Sequence, residues 1–285
     1  MKKINSDINL NYETLKVTKS RLNKGLLSIP VSLIDNFPSK KRKIQVFFDN
    51  NKLPEFKNFT PYTSSSKECR IGGMKNWYIK NKVMPNDEIT LITIDKELGI
   101  YRLVKEFDFK IHISKLSKQL FATLEIEDDE NNIENVLDEL KHISNRSEKD
   151  ILIGQYLNIK NLSIKKRKYE QVNIKKRKER VPSLIRKILG AVYEGKCQLT
   201  QFSFIQKNGK PYFEVHHIDE NRGNDWKNLL VVSPNIHAQF TYGRYENYYD
   251  KEGWLRKVYL CGTSYNVFQQ LDKISNQRFE KIIHG

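Results

Sequence analysis

The stretch EVHHIDENRGNDWKNLLVVSPNIHAQF, residues 214–240, constrains the fold more tightly than any other part of the chain. SFIQKNGKPYFEVHHI before and into it reads as a hairpin, with Asn208-Gly209 as a two-residue turn. NLLVVS is a second apolar run of strand character. Ser233 then stands where an N-cap belongs and Pro234 at the first helical position, and NIHAQFTY runs to a stop at Gly243. The order is strand, loop, strand, helix.

Six histidines serve 285 residues, yet His216, His217 and His237 all fall inside this stretch. Adjacent side chains on a strand point to opposite faces, so His216 and His217 need different jobs. Phosphodiester hydrolysis offers two. One group must deprotonate a water, and a neutral imidazole suits that task near neutral pH. A cation must neutralise the scissile phosphate and the leaving oxygen, and a divalent metal suits that one.

The pattern resembles the HNH endonuclease motif, the ββα-metal nuclease fold. It runs through His216-His217, ten intervening residues to Asn228 with Leu229-Leu230 after it, and eight more to His237 near a helix start. The resemblance implies that His216 and His237 bind one divalent metal and that His217 is the general base. Asn228 would brace the loop and orient His217. Mg²⁺ or Mn²⁺ is the expected cofactor, with manganese accepting imidazole more readily. Many members of that family also carry two CxxC pairs around a structural zinc. Here those positions hold Cys197, Thr200, Ser233 and Ile236, so one thiolate remains and no structural zinc is expected. Cys197 is expected to be a small buried apolar residue.

Residues 15–107 carry a different pattern. GLLSIPVSLIDNF, KIQVFFD, DEITLITI and GIYRLVKEF are β-branched and aromatic runs separated by prolines and turns, the spacing of a small barrel. MKNWYIKNKVMPNDEITLITID, from Met74, resembles a segment of the plant B-three type of DNA-binding pseudobarrel, also found in some restriction enzymes. Asn86-Asp87 stands at its turn, where that family has a glycine. The resemblance implies two DNA-gripping arms, near KSRLNKG and TSSSKECR, with Lys19, Arg21, Lys24, Ser64, Ser65, Lys67 and Arg70 as contacts. Trp77 and Tyr78 read as core. Arg222, Lys227 and Arg244 flank the histidine motif as phosphate contacts.

Between these regions, Ile133, Val136, Leu137, Leu140 and Ile143 mark one face of an amphipathic helix. A basic near-repeat, IKKRKYEQV and IKKRKERV, follows ten residues apart, and VPSLIRKILGAVYEG reads as a helix from near Pro182 to Gly195. The expected architecture is α+β: a recognition pseudobarrel over 1–107, a helical basic connector over 108–180 and a nuclease domain over 181–285.

Charge bears on the partner. Lys and Arg number 50 against 34 Asp and Glu, a formal +16 with a pI near 9.5, which favours a polyanion. Double-stranded DNA is the expected partner. No apolar run is long enough for a membrane span, the N-terminus lacks a signal-peptide core, and three scattered cysteines make no disulfide framework; a cytoplasmic protein is expected. The function expected is site-specific cleavage, as by a type II restriction enzyme, leaving 5′-phosphate and 3′-hydroxyl ends. One nucleophile per chain favours a homodimer on a symmetric site, with residues 248–268 able to serve the dimer or the domain's own sheet. The alternatives are a sequence-specific DNA-binding regulator with a vestigial nuclease unit, and a structure-directed or RNA-directed nuclease.

Overall fold

A computed structural model describes residues 3–5, 11–62, 68–124, 130–160 and 180–274. The chain forms two compact units, residues 1–118 with 138–147 and residues 119–137 with 148–285. The region expected to stand apart as a connector is divided between them. Most of its basic near-repeat lies outside the described residues.

The first unit holds strands β1 (Lys3–Asn5), β2 (Asn11–Lys16), β3 (Leu26–Ile29), β4 (Arg42–Phe48), β5 (Glu55–Thr60), β6 (Cys69–Gly72), β7 (Glu88–Asp95) and β8 (Ile100–Lys105). They form one sheet in the order β1-β2-β7-β8-β4-β5-β6-β3. Its neighbours pair antiparallel except β4 and β8, which run parallel with Gln45 opposite Ile100. Leu15 near one end of that order and Leu27 and Ile29 at the other join a single core with Ile44, Val46, Phe48, Phe59, Ile71, Ile89 and Leu103. A sheet whose two ends share one core has curled into a near-barrel. Strands β3 and β4 bury alternate residues, as a one-sided sheet requires.

Two short helices close this barrel, α1 (Lys19–Lys24) and α2 (Lys75–Lys80). Trp77 and Tyr78 on α2 are core residues. Trp77 stacks on Phe48 with ring centroids 5.2 Å apart and donates to Asp49, while the Tyr78 hydroxyl donates to the Leu26 carbonyl at 3.0 Å. The turn at Asn86-Asp87 keeps the positive φ that a glycine would supply, 76° at Asn86, a conformation asparagine tolerates. Asp87 secures it by accepting the Met84 N–H at 2.9 Å.

Helices α3 (Glu106–Ala122) and α4 (Glu130–Ser144) contribute residues to both units. Ile133, Val136, Leu137, Leu140 and Ile143 on α4 are all buried, the stripe their spacing implied. In the second unit, α5 (Glu148–Ile159) packs beside α6 (Ser183–Tyr193). Leu184, Ile185, Ile188 and Leu189 of α6 are fully buried, and the helix ends where Glu194 and Gly195 turn left-handed.

The rest of this unit is built from short strands: β9 (Phe204–Ile205), β10 (Pro211–Tyr212), β11 (Glu214–His217) and β12 (Leu229–Val232), then α7 (Pro234–Tyr242). The hairpin at Asn208-Gly209 forms between β9 and β10, but its connection runs from Gln206 to Lys210 rather than through two residues. It ends at Tyr212. Strand β11 pairs instead with β12, because Phe213 turns inward to bury its ring and gives its carbonyl to Arg186. β13 (Tyr245–Tyr249), β14 (Leu255–Leu260) and β15 (Thr263–Asn266) make a three-stranded antiparallel sheet. Leu255, Val258 and Leu260 from it pack with Leu230, Val232, Ile236 and Phe240, so the segment after the motif completes the unit's own core.

Candidate functional site

Strand β12 is buried along its whole length and fixes β11 beside it, with His216 opposite Leu230 and His217 opposite Leu229. Pleating then separates the pair. Glu214 and His216 share one face of β11, Val215 and His217 the other. Helix α7 begins immediately after β12, and its first turn carries His237, whose N–H donates to the Ser233 carbonyl at 2.9 Å. Ser233 holds the N-cap position through its backbone; its hydroxyl makes no cap bond, contrary to the usual role of serine there.

This geometry brings His216 and His237 together, with ring centroids 5.5 Å apart and planes at 66°. The His216 ring also lies flat on Phe240, centroids 4.4 Å apart, which fixes its orientation. Glu214 Oε2 is bonded to Nδ1 of His237, and Glu214 Oε1 accepts the Tyr212 hydroxyl at 3.1 Å. A carboxylate on Nδ1 leaves Nε2 as the nitrogen through which His237 could ligate an ion. Two imidazoles at about 2.0–2.1 Å from one ion would place their ring centroids about 4.5–5.5 Å apart for bond angles of about 90–120°. The 5.5 Å spacing of the pair lies at the upper end of that range. Among the described residues no group of three His, Cys, Asp or Glu side chains is placed to hold a metal ion, so water and phosphate oxygens would complete the coordination.

His217, on the opposite face and half-buried, meets Asn224 Oδ1 at 3.0 Å through its Nε2. A carbonyl oxygen can only accept, so Nε2 carries the proton and Nδ1 is left as the basic nitrogen. Asn228 was expected to orient this ring as well as to brace the loop. It braces the loop: fully buried, it donates to the Asp219 and Gly223 carbonyls at 2.8 Å each and accepts the Asp219 N–H at 2.8 Å. Those bonds occupy its amide, and the bond to His217 comes from Asn224. Sequence reasoning missed Asn224 and Glu214. The only signals available were a third asparagine in a polar loop and a carboxylate two residues before His216, on the same strand face.

Cys197 is buried as expected, but its thiol is not simply apolar. Burial works to raise its pKa, and hydrogen bonds from the Thr200 hydroxyl and from the N–H groups of Thr200, Ser233 and Leu199 outweigh that and lower it. Gln198 beside it knits the unit. Its backbone N–H donates to the Val231 carbonyl, its Oε1 accepts the Val231 N–H at 2.8 Å, and its Nε2 reaches the Phe268 carbonyl at 3.0 Å.

The flanking cations differ in freedom. Arg222 is exposed beside Asp225 at 3.5 Å, and Arg244 is exposed just past the end of α7. Lys227 is tied to the Glu252 carbonyl at 2.5 Å and lies over the Trp254 ring. In the first unit, the expected arm KSRLNKG is α1, capped by Thr18 and stopped by Gly25 at φ 63°, with Lys19 and Lys24 exposed. Ser64, Ser65 and Lys67 lie outside the described residues. The two basic stretches nevertheless meet: Glu68 pairs with Arg21 and, at 2.8 Å, with Nε of Arg70.

No family model and no curated protein matches the chain. Among solved structures, the Arabidopsis FUS3–DNA complex overlaps 33% of this chain and 94% of its own, at 9% identity and a TM-score of 0.27. No helix among the described residues is long and apolar enough to cross a membrane.

Proposed function

We propose that the chain is a DNA endonuclease that hydrolyses phosphodiester bonds at the ββα unit of β11, β12 and α7. The observation that carries this reading is the division of labour on β11: His216 faces His237 at 5.5 Å, while His217 sits on the other face with its tautomer set by Asn224.

In this reading His217 Nδ1 takes a proton from water as that water attacks phosphorus. Asn224 holds the ring so that Nδ1 rather than Nε2 does this. His216 and His237 would hold a divalent cation, and Glu214, bonded to Nδ1 of His237, orients that ring so that Nε2 is its ligand nitrogen. The bound cation supplies charge neutralisation at the phosphate and at the departing 3′ oxygen. The bond to the 3′ oxygen breaks as the new P–O bond forms, and that oxygen takes a proton from solvent water, leaving 5′-phosphate and 3′-hydroxyl ends. The near-barrel, with Arg21 and Arg70, reads the site, and a homodimer cuts both strands.

Supercoiled plasmid tests this. The parent chain nicks or linearises it in Mg²⁺ or Mn²⁺, and His217→Ala does not. Duplex, single-stranded and RNA substrates run side by side separate a duplex DNase from a structure-directed or RNA-directed enzyme. A second reading, a sequence-specific DNA-binding regulator with an idle ββα unit, draws on the near-barrel of the first unit. Binding without cleavage by the parent chain would select it.

A further inference from the structure

The β9–β10 hairpin exposes more apolar surface than its size warrants. Phe202 is 52% exposed, Phe204 43% and Ile205 64%. Scattered single apolar residues need no explanation, but contiguous ones rimmed by polar groups mark contact surfaces. The two phenylalanines are contiguous: the Phe202 and Phe204 rings lie 6.2 Å apart, and Phe204 stacks on Tyr212 at 5.3 Å and 23°.

The hairpin holds this surface out on a defined frame. Gln206 N–H donates to the Lys210 carbonyl at 2.8 Å and Gly209 N–H to the Gln206 carbonyl at 2.9 Å, while Asn208 Oδ1 accepts the Lys210 N–H at 3.0 Å. Gly209 takes φ 77° at the tip with open space around it. At the base, Cys197 N–H donates to the Phe202 carbonyl at 2.9 Å. The aromatic stripe is also wired to the candidate site. Tyr212 carries Phe204 on its ring and gives its hydroxyl to Glu214, which holds His237.

We infer that this hairpin is a DNA wedge, inserting Phe202 and Phe204 against or between base steps beside the scissile phosphate. The inference rests on the nuclease reading for its ligand. Charge favours DNA over other occupants: residues 202–212 contain Lys207 and Lys210 and no carboxylate, and Lys207 is exposed. Lys210 already shares Glu134 at 3.2 Å, which leaves Lys207 as the phosphate contact. Apolar side chains on a basic, rigid projection are what minor-groove wedges present, unstacking a step and bending the duplex.

The test uses the full chain in a His217→Ala background, so that binding is read without cleavage. A mixed-sequence duplex labelled for anisotropy and carrying 2-aminopurine at scattered positions is the probe. Phe202→Ser with Phe204→Ser should weaken binding roughly tenfold, the worth of one lost base contact, and abolish the rise in 2-aminopurine fluorescence. Lys207→Met should instead lower the salt dependence by about one phosphate while leaving that rise in place. Circular dichroism on the same variants reports folding, and a serine pair that binds as tightly as its parent with the same fluorescence rise overturns the wedge alone. A serine pair that alters only the sedimentation coefficient also overturns it, in favour of an interface between copies. A parent that binds no duplex overturns the wedge and the nuclease reading together.

Discussion

Asn224 Oδ1 lies 3.0 Å from Nε2 of His217, a contact that favours the tautomer with its proton on Nε2. Asn228, four residues on, is fully buried and spends its amide on the loop instead. The two asparagines therefore separate positioning from stability.

Asn224→Ala should lower the cleavage rate by about 10–100-fold, the usual cost of losing a partner that orients a functional imidazole. Its unfolding midpoint should move far less than that of Asn228→Ala. The second variant strands the Asp219 N–H and two carbonyls and should cost about 2–4 kcal/mol in urea titrations. Equal stability loss in both, with no rate difference between them, would remove the distinction.

Glu68 governs a second pair of predicted residues, since Arg21 and Arg70 both pair with its carboxylate. Glu68→Gln removes a negative charge from between two guanidiniums that would otherwise meet phosphate. Affinity for duplex DNA at low salt should rise, by roughly fivefold at most given the worth of partly exposed ion pairs. Anisotropy titrations check this, and weaker binding by the variant would mean that Glu68 is needed to place the arginines.

Asp87 gives the near-barrel an acid-sensitive turn. Burial opposes its ionisation, but the Met84 N–H and the Lys105 ammonium outweigh burial and hold its carboxyl below the usual range. A depressed folded pKa contributes stability above the unfolded value and loses it as pH falls through the folded one. Asp87→Ala should therefore cost about 1 kcal/mol at pH 7, and the gap between variant and parent should close below about pH 4. Urea midpoints across that range measure it.

Much of this site was legible because local chemistry dictated it. Pro234 ahead of NIHAQFTY starts α7, the apolar run LLVV demands a buried strand, and pleating alone separates His216 from His217. Thr18 and Gly25 carried the cap signals of α1, which were read as an arm. Partner choice was not legible: three asparagines share the loop from 221 to 228, and only its closed path brings Asn224 rather than Asn228 to His217. The parallel pairing of β4 with β8 was equally hidden, because it joins strands some fifty residues apart and no local pattern encodes it.

Structural metal is the next point of test. Cys197 is buried and receives hydrogen bonds from Thr200, Ser233 and Leu199. Prolonged chelation should leave the melting temperature of the chain unchanged while abolishing cleavage. A chelator-induced loss of several degrees would point to a structural ion instead.

The account rests on one shared cation between His216 and His237, and Mn²⁺ titration followed by calorimetry or electron paramagnetic resonance tests it most directly. The account predicts one site per chain, lost in His216→Ala and in His237→Ala but kept in His217→Ala, in step with loss of cleavage in all three. Mn²⁺ binding that is unchanged in either ligand variant, or cleavage that persists without any divalent ion, would contradict it.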